Sequence, residues 1–186
     1  NQFPFFDAFL VLPLVAPSGR GFCPGFGSGP SNKADWDTYL DGYLFGGRNH
    51  LQHLDLAGLE ARQTLNARTM RWKVILTLPY PDPSQHDFGL VSMDGASLDF
   101  SYRKDRLDAC VWWIEAILSR WNAAKYVTLD LAGIYWVYEA VSTIEDKELL
   151  PRVASRLHSA GLKFFWIPWY NAPGATTWRD YSFDAV

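Results

Sequence analysis

Apolar runs of strand length alternate along this chain with segments whose apolar residues recur at helical spacing. That alternation restricts the fold more than any other feature. Trp72 to Leu78 (WKVILTL), Leu131 to Tyr138 (LAGIYWVY) and Lys163 to Trp169 (KFFWIPW) are continuous apolar runs. Phe6 to Leu14 is another at the front, and Phe183 opens a fifth. A strand with one wet face alternates polar and apolar residues. Strands apolar on both faces belong to parallel sheets covered on both sides.

The segments between these runs read as helices. Ser31 or Asn32 caps a helical region holding Asp35, Trp36 and Asp37, whose acidic first turn suits the helix dipole. A second helix spans roughly Asn49 to Asn66. Leu107, Cys110, Val111, Ile114, Ile117, Leu118 and Trp121 recur every three or four residues, as on one helix face. Ser142-x-x-Glu145 has the form of a capping box ahead of the stripe Leu149, Leu150, Val153, Leu157 and Ala160. Gly161 stands where a helix ends in a left-handed residue.

The resulting β-α order fits either a doubly wound sheet or a (β/α) barrel. A nucleotide-binding sheet needs a phosphate loop, and no G-x-x-x-x-G-K-[ST] is present. Gly25, Gly27 and Gly29 do not complete G-x-G-x-x-G, because Pro30 stands in place of the third glycine. The expected fold is therefore α/β, a parallel TIM-type barrel of about five strands over residues 1–186. Five strands do not close an eight-stranded barrel, and both ends of the sequence look cut, so a partial barrel domain is expected.

Composition narrows the function classes. The formal net charge is -3 and no basic run occurs, so no nucleic-acid partner is expected. No apolar run is long enough to span a membrane. Cys23 and Cys110 are the only cysteines and form no C-x-x-C, so neither a thiolate zinc site nor any cofactor is expected. His50-x-x-His53 lacks a carboxylate at ligand spacing and reads as two exposed helix residues. Nine Trp, nine Tyr and twelve Phe are enough to fill a core and still leave rings to stack on sugars.

Active sites of parallel barrels lie where strands run into the following loops. Those positions hold Tyr80 and Asp82 after the second strand, Glu139 after the third, and Trp169, Tyr170 and Asn171 after the fourth. Glu139 directly follows an aromatic strand, and a partly dry pocket favours a carboxylate that works as a general acid. Glu139 is thus the catalytic candidate, with Tyr80, Asp82, Tyr135, Trp169, Tyr170 and Asn171 as substrate-binding candidates. Glycoside cleavage requires two carboxylates. Asp82 and Asp87 are further carboxylates on the loop that also carries His86 and Asp94, although Asp in a Pro-rich loop commonly serves the turn. Asp7 and Asp184 fall at strand starts, the stability face of a barrel. No G-x-S-x-G supports a serine hydrolase.

The succession FDAFLVL, DWDTYLDGYLF, KVILTLPYP, LAGIYWVYE, LKFFWIPWYNAPG and FDAV spans nearly the whole chain. Together with LPYP, G-I-Y-W-x-x-E and WIP-x-Y it resembles the bacterial domain-of-unknown-function family 4855, grouped with TIM-barrel glycosyl hydrolases. The resemblance implies a secreted or cell-surface bacterial protein acting on polysaccharide, with further strands beyond FDAV. Three functions follow as expectations: a glycoside hydrolase, a non-catalytic carbohydrate-binding barrel, or a barrel lyase or deacetylase. The first needs a second carboxylate near Glu139. The second predicts Glu139 in a structural ion pair. The third needs a metal cluster or another base.

Overall fold

The structure, a computed structural model, describes residues 6–47, 49–93 and 95–186. Asp94 therefore lies outside the described residues. The chain forms a mixed α/β fold around one parallel four-stranded sheet. The strands are β1 (Ala8–Val11), β2 (Trp72–Leu78), β3 (Leu129–Trp136) and β4 (Lys163–Trp166). They stand in the order β1-β2-β3-β4 without reversal, every pair parallel. The expected fifth strand is a single parallel bridge, Phe165 to Ala185, with the Trp166 amide donating to the Ala185 carbonyl at 3.1 Å.

Between the strands lie α1 (Lys33–Asp37), α2 (His50–Thr64), α3 (Arg103–Ala124) and α4 (Ile144–Ser159). A π-helical stretch, Thr38–Leu44, continues α1. Strands β1 and β4 are shorter than their apolar runs, because neighbour pairing and not hydrophobicity sets strand ends. Strand β3 begins two residues earlier than its apolar run, at Leu129, and ends at Trp136. Asp55 of α2 holds the approach to β3: its carboxylate accepts the amides of Val127 (3.1 Å) and Thr128 (2.6 Å) and the Thr128 hydroxyl (2.8 Å).

The core lies between the sheet and the helices. Val74, Leu76, Leu78, Ile134, Trp136, Phe164 and Trp166 are buried together with Ile114 and Ile117 of α3 and Leu150 and Val153 of α4. Helix α3 buries a face turned from the expected one. Arg106, Ala109, Cys110, Trp113, Ile114 and Ile117 are its buried residues, while Leu107, Val111, Leu118 and Trp121 are only partly covered. The face shifts because Arg106 is paired with a buried acid and Trp113 stacks on Tyr39 at 6.1 Å. An arginine was counted as polar by the sequence pattern, which moved the stripe.

Two caps refine the helix starts. Asn32, not Ser31, caps α1 and forms a reciprocal box with Asp35. Thr143 caps α4 through the Asp146 amide, so Ser142 and Glu145 are not the capping pair. Thr143 is the residue with extended backbone, and a cap side chain reaches the amide three residues ahead. Gly161 ends α4 with φ +74°, as the pattern requires.

Candidate active site

The loops that follow the strands converge at their C-terminal ends, and the loop after β2 is the most firmly held. Tyr80 is buried, with its ring 4.6 Å from Tyr138 and edge-on to Trp136 at 5.6 Å. Its hydroxyl lies 3.1 Å from both carboxylate oxygens of Asp146 and donates to them. Asp146 is fully buried and pairs with the buried Arg106 at 2.6 Å, whose Nε donates to the Pro81 carbonyl at 2.7 Å. This ion pair clamps Tyr80-Pro81 from beneath. Burial, with the negative charge of Asp146 added, pushes the Tyr80 hydroxyl well above its ordinary pKa, so it remains a neutral donor.

Asp82 follows that clamp. One carboxylate oxygen, Oδ1, accepts the Ser84 amide (2.9 Å) and hydroxyl (2.7 Å). The turn role common to Asp in Pro-rich loops is thus present, but it occupies only Oδ1. Asp87 accepts the Ser97 hydroxyl, and His86 pairs with Asp99 at 3.0 Å, so both are tied within the loop.

Tyr135 and Glu139 form a second pair at the end of β3. Tyr135 is buried, and its hydroxyl donates to Glu139 Oε1 at 3.3 Å. Burial first, and then the Glu139 charge, raise the Tyr135 pKa, which keeps the proton on the phenol. Glu139 itself is half-buried. Neither Glu139 nor Asp82 forms an ion pair with any described residue.

Cys23, which sequence reasoning did not place at this end, lies where the charges of both carboxylates are felt. The long loop after β1 folds over this end of the sheet. The Tyr80 amide donates to the Phe22 carbonyl (2.9 Å), and the Cys23 thiol donates to the Val137 carbonyl (3.5 Å). Burial pushes the Cys23 thiol up to about 12, and the charges of Glu139 and Asp82 both add to the rise. That rise favours the neutral thiol at Cys23. Cys23 and Cys110 are both free and buried. The available signal was the length of the segment between β1 and α1: a loop that long after a parallel strand has the reach to cover the C-terminal end of the sheet.

A cavity of about 320 Å³ lies between this loop and the loop after β2, with Cys23, Tyr80 and Asp82 in its wall. Glu139, Tyr135, Trp169 and Tyr170 do not line it. Trp169 and Tyr170 are exposed, Tyr170 almost completely (91 %). They lead into a turn in which the Ala172 amide donates to the Trp169 carbonyl (2.9 Å) and Asn171 takes the left-handed conformation, φ +60°. The expected site residues thus fall into a carboxylate group around Cys23 and an aromatic turn after β4.

His50 and His53 are exposed on α2. Among the described residues, no three His, Cys, Asp or Glu side chains gather as a metal site, and no helix is long and apolar enough to cross a membrane. No curated protein and no solved structure matches the chain. One family does: the family described as a domain of unknown function, DUF4855, matches residues 1–186, and the protein belongs to it.

Proposed function

We propose that this protein is a glycoside hydrolase of TIM-barrel type, with Glu139 as its catalytic carboxylate. The observation that carries the proposal is the state of Glu139. It stands half-buried at the C-terminal end of a parallel strand, takes a hydrogen bond from a buried tyrosine, and has no cation paired with it among the described residues. A structural role would pair that charge. Asp82, on the loop after β2 and in the wall of the neighbouring cavity, contributes to substrate binding. Strand order supports the barrel: sequential parallel strands without reversal send every crossover to the same face, as barrel closure requires. A polysaccharide substrate fits a secreted or cell-surface bacterial protein.

Glu139 supplies the proton that the glycosidic oxygen takes up as its bond to the anomeric carbon breaks. Tyr135 holds the carboxylate in position. The test is Glu139→Gln, which keeps shape and removes the titratable proton. Turnover on a responsive glycan should fall roughly 10²–10⁴-fold with the melting temperature unchanged. Unchanged turnover removes Glu139 from the mechanism.

A second reading, a carbohydrate-binding barrel without catalysis, rests on the exposed Trp169 and Tyr170. Two aromatic rings held in water on a tight turn form a platform for the apolar face of a sugar. Glycan binding that Glu139→Gln leaves intact, with no turnover by the native protein, would favour this reading.

A further inference from the structure

The loop after β1 walls the 320 Å³ cavity, and no described basic side chain lines it. That volume lies near the lower end of the range for ligand sites, about 300–1,000 Å³, and suits a small ring better than an extended chain. The wall combines Phe22, Cys23, Phe26, Tyr80, Asp82 and Ser84 with glycine and proline backbone. Asp82 is its only charged residue among the described residues. Ser84 binds Asp82 Oδ1 twice, which fixes the carboxylate, while Oδ2 accepts no hydrogen bond from any described residue. Phe26 is 45 % exposed and has no aromatic neighbour among the described rings.

The enclosure is built rather than loose. Gly27 has φ +71°, and a Cβ there would stand 2.5 Å from the Gly19 carbonyl oxygen and 2.6 Å from the Gly21 amide. A Cβ on Gly21 would stand 2.0 Å from the Phe26 carbonyl oxygen. Backbone bonds from Gly21 to Gly29 (2.8 Å) and from Ser31 to Gly21 (3.0 Å) close the loop on itself. Its Cys23 thiol reaches the Val137 carbonyl, two residues before Glu139. A pre-shaped wall loses little freedom when a ligand enters.

We propose that this cavity is a subsite for a sugar ring carrying no negative charge, with its hydroxyls on Asp82 Oδ2 and its apolar face on Phe26. The proposal rests on the glycan-active reading and adds the substrate class. A fixed carboxylate with one open oxygen accepts sugar hydroxyls, an exposed phenyl ring stacks on C–H faces, and the uncompensated charge of Asp82 repels a uronate or a sulfate.

The test is calorimetric titration of the Glu139→Gln chain with cellohexaose, mannohexaose, maltohexaose and hexagalacturonate. At least one neutral hexasaccharide binds and hexagalacturonate does not. Phe26→Ala and Asp82→Asn, each checked by its melting curve, weaken the neutral ligand about tenfold, the loss of one good contact. Binding of hexagalacturonate, indifference to both substitutions, or no binding of any neutral probe overturns the proposal. In the native background, Asp82→Asn raises KM and largely spares kcat. A loss confined to kcat would instead make Asp82 part of the chemistry and overturn its role as an anchor. Native turnover unaffected by Phe26→Ala rejects the subsite and leaves the hydrolase reading standing. Binding that depends on Phe26 but brings no native turnover keeps the subsite and rejects the hydrolase.

Discussion

The two ends of the parallel sheet treat their acids differently. Where strands begin, carboxylates are neutralised. Asp7 meets Lys73 at 3.2 Å, Asp130 meets Arg71 at 2.6 Å, and Asp184 meets Lys163 at 3.0 Å and His158 at 2.9 Å. Asp55 is spent on the amides leading into β3. Where strands end, Asp82 and Glu139 have no cation among the described residues, and their charges act on a buried thiol and a buried phenol. Ion pairs at the first end position backbone and resist unfolding. At the second end Asp146 is paired beneath the loop, whereas Asp82 and Glu139 have carboxylate oxygens that no cation among the described residues occupies. The difference teaches where to look for chemistry in a sheet whose two ends are equally rich in acids.

Removing acids from the two ends should therefore have different consequences. Beyond Glu139→Gln, the largest effect should come from the clamp beneath the loop after β2. Asp146→Ala leaves Arg106 charged, buried and unpaired and deprives Tyr80 of its acceptor. Unfolding in urea should report a loss of about 3–5 kcal/mol. A loss below about 1 kcal/mol would show that the loop after β2 does not depend on this pair. Next comes Asp55→Ala, which orphans the buried Thr128 amide and leaves the Thr128 hydroxyl only the carbonyl of residue 55. A loss of about 2 kcal/mol is expected, with turnover per folded molecule unchanged. Reduced turnover in the folded variant would erase the distinction between the ends.

Tyr135→Phe sharpens the comparison from the other side. It removes one hydrogen bond to Glu139 while keeping the ring. Steady-state kinetics should show kcat down about tenfold with KM little changed, equivalent to about 1.4 kcal/mol in the barrier. The melting temperature should move little. The smallest effect belongs to Asp184→Asn. Burial would raise the Asp184 pKa, but the Phe164 amide, Lys163 and His158 together hold it below the ordinary aspartate range. Its contribution is thus fully present above the unfolded pKa near 3.9 and is lost as pH falls through the lower folded value. At neutral pH the substitution should cost about 1 kcal/mol. Melting curves of the two proteins should converge below about pH 3. Curves that stay apart there would show that Asp184 acts through packing, not through its charge.

Much of this was legible in the residues alone. Strand β2 ran from Trp72 to Leu78 as its apolar run required, and α4 buried Leu149, Leu150, Val153 and Leu157 as its spacing required. The position of Glu139 at a strand end was legible too, because an apolar run that stops at a glutamate marks the place where a buried strand meets a loop. Periodicity and composition report on burial along a single segment, so they identify segments, their order and their parallel pairing.

Partners distant in sequence required the tertiary structure. Arg106 is separated from Asp146 by 40 residues, and Cys23 from Val137 by 114. No local pattern announces that a buried arginine belongs to a core, or that a glycine-rich loop after the first strand will reach the third. The same holds for Trp169 and Tyr170, whose apolar character pointed equally to core and surface until the turn at Asn171 placed them in water. Hydrophobicity states what a side chain prefers to leave, while only the packed chain determines which neighbours are there to receive it. The parallel α/β framework was written in the sequence; the placing of Asp82 in a cavity wall and the reach of Cys23 to the Val137 carbonyl were decided by folding.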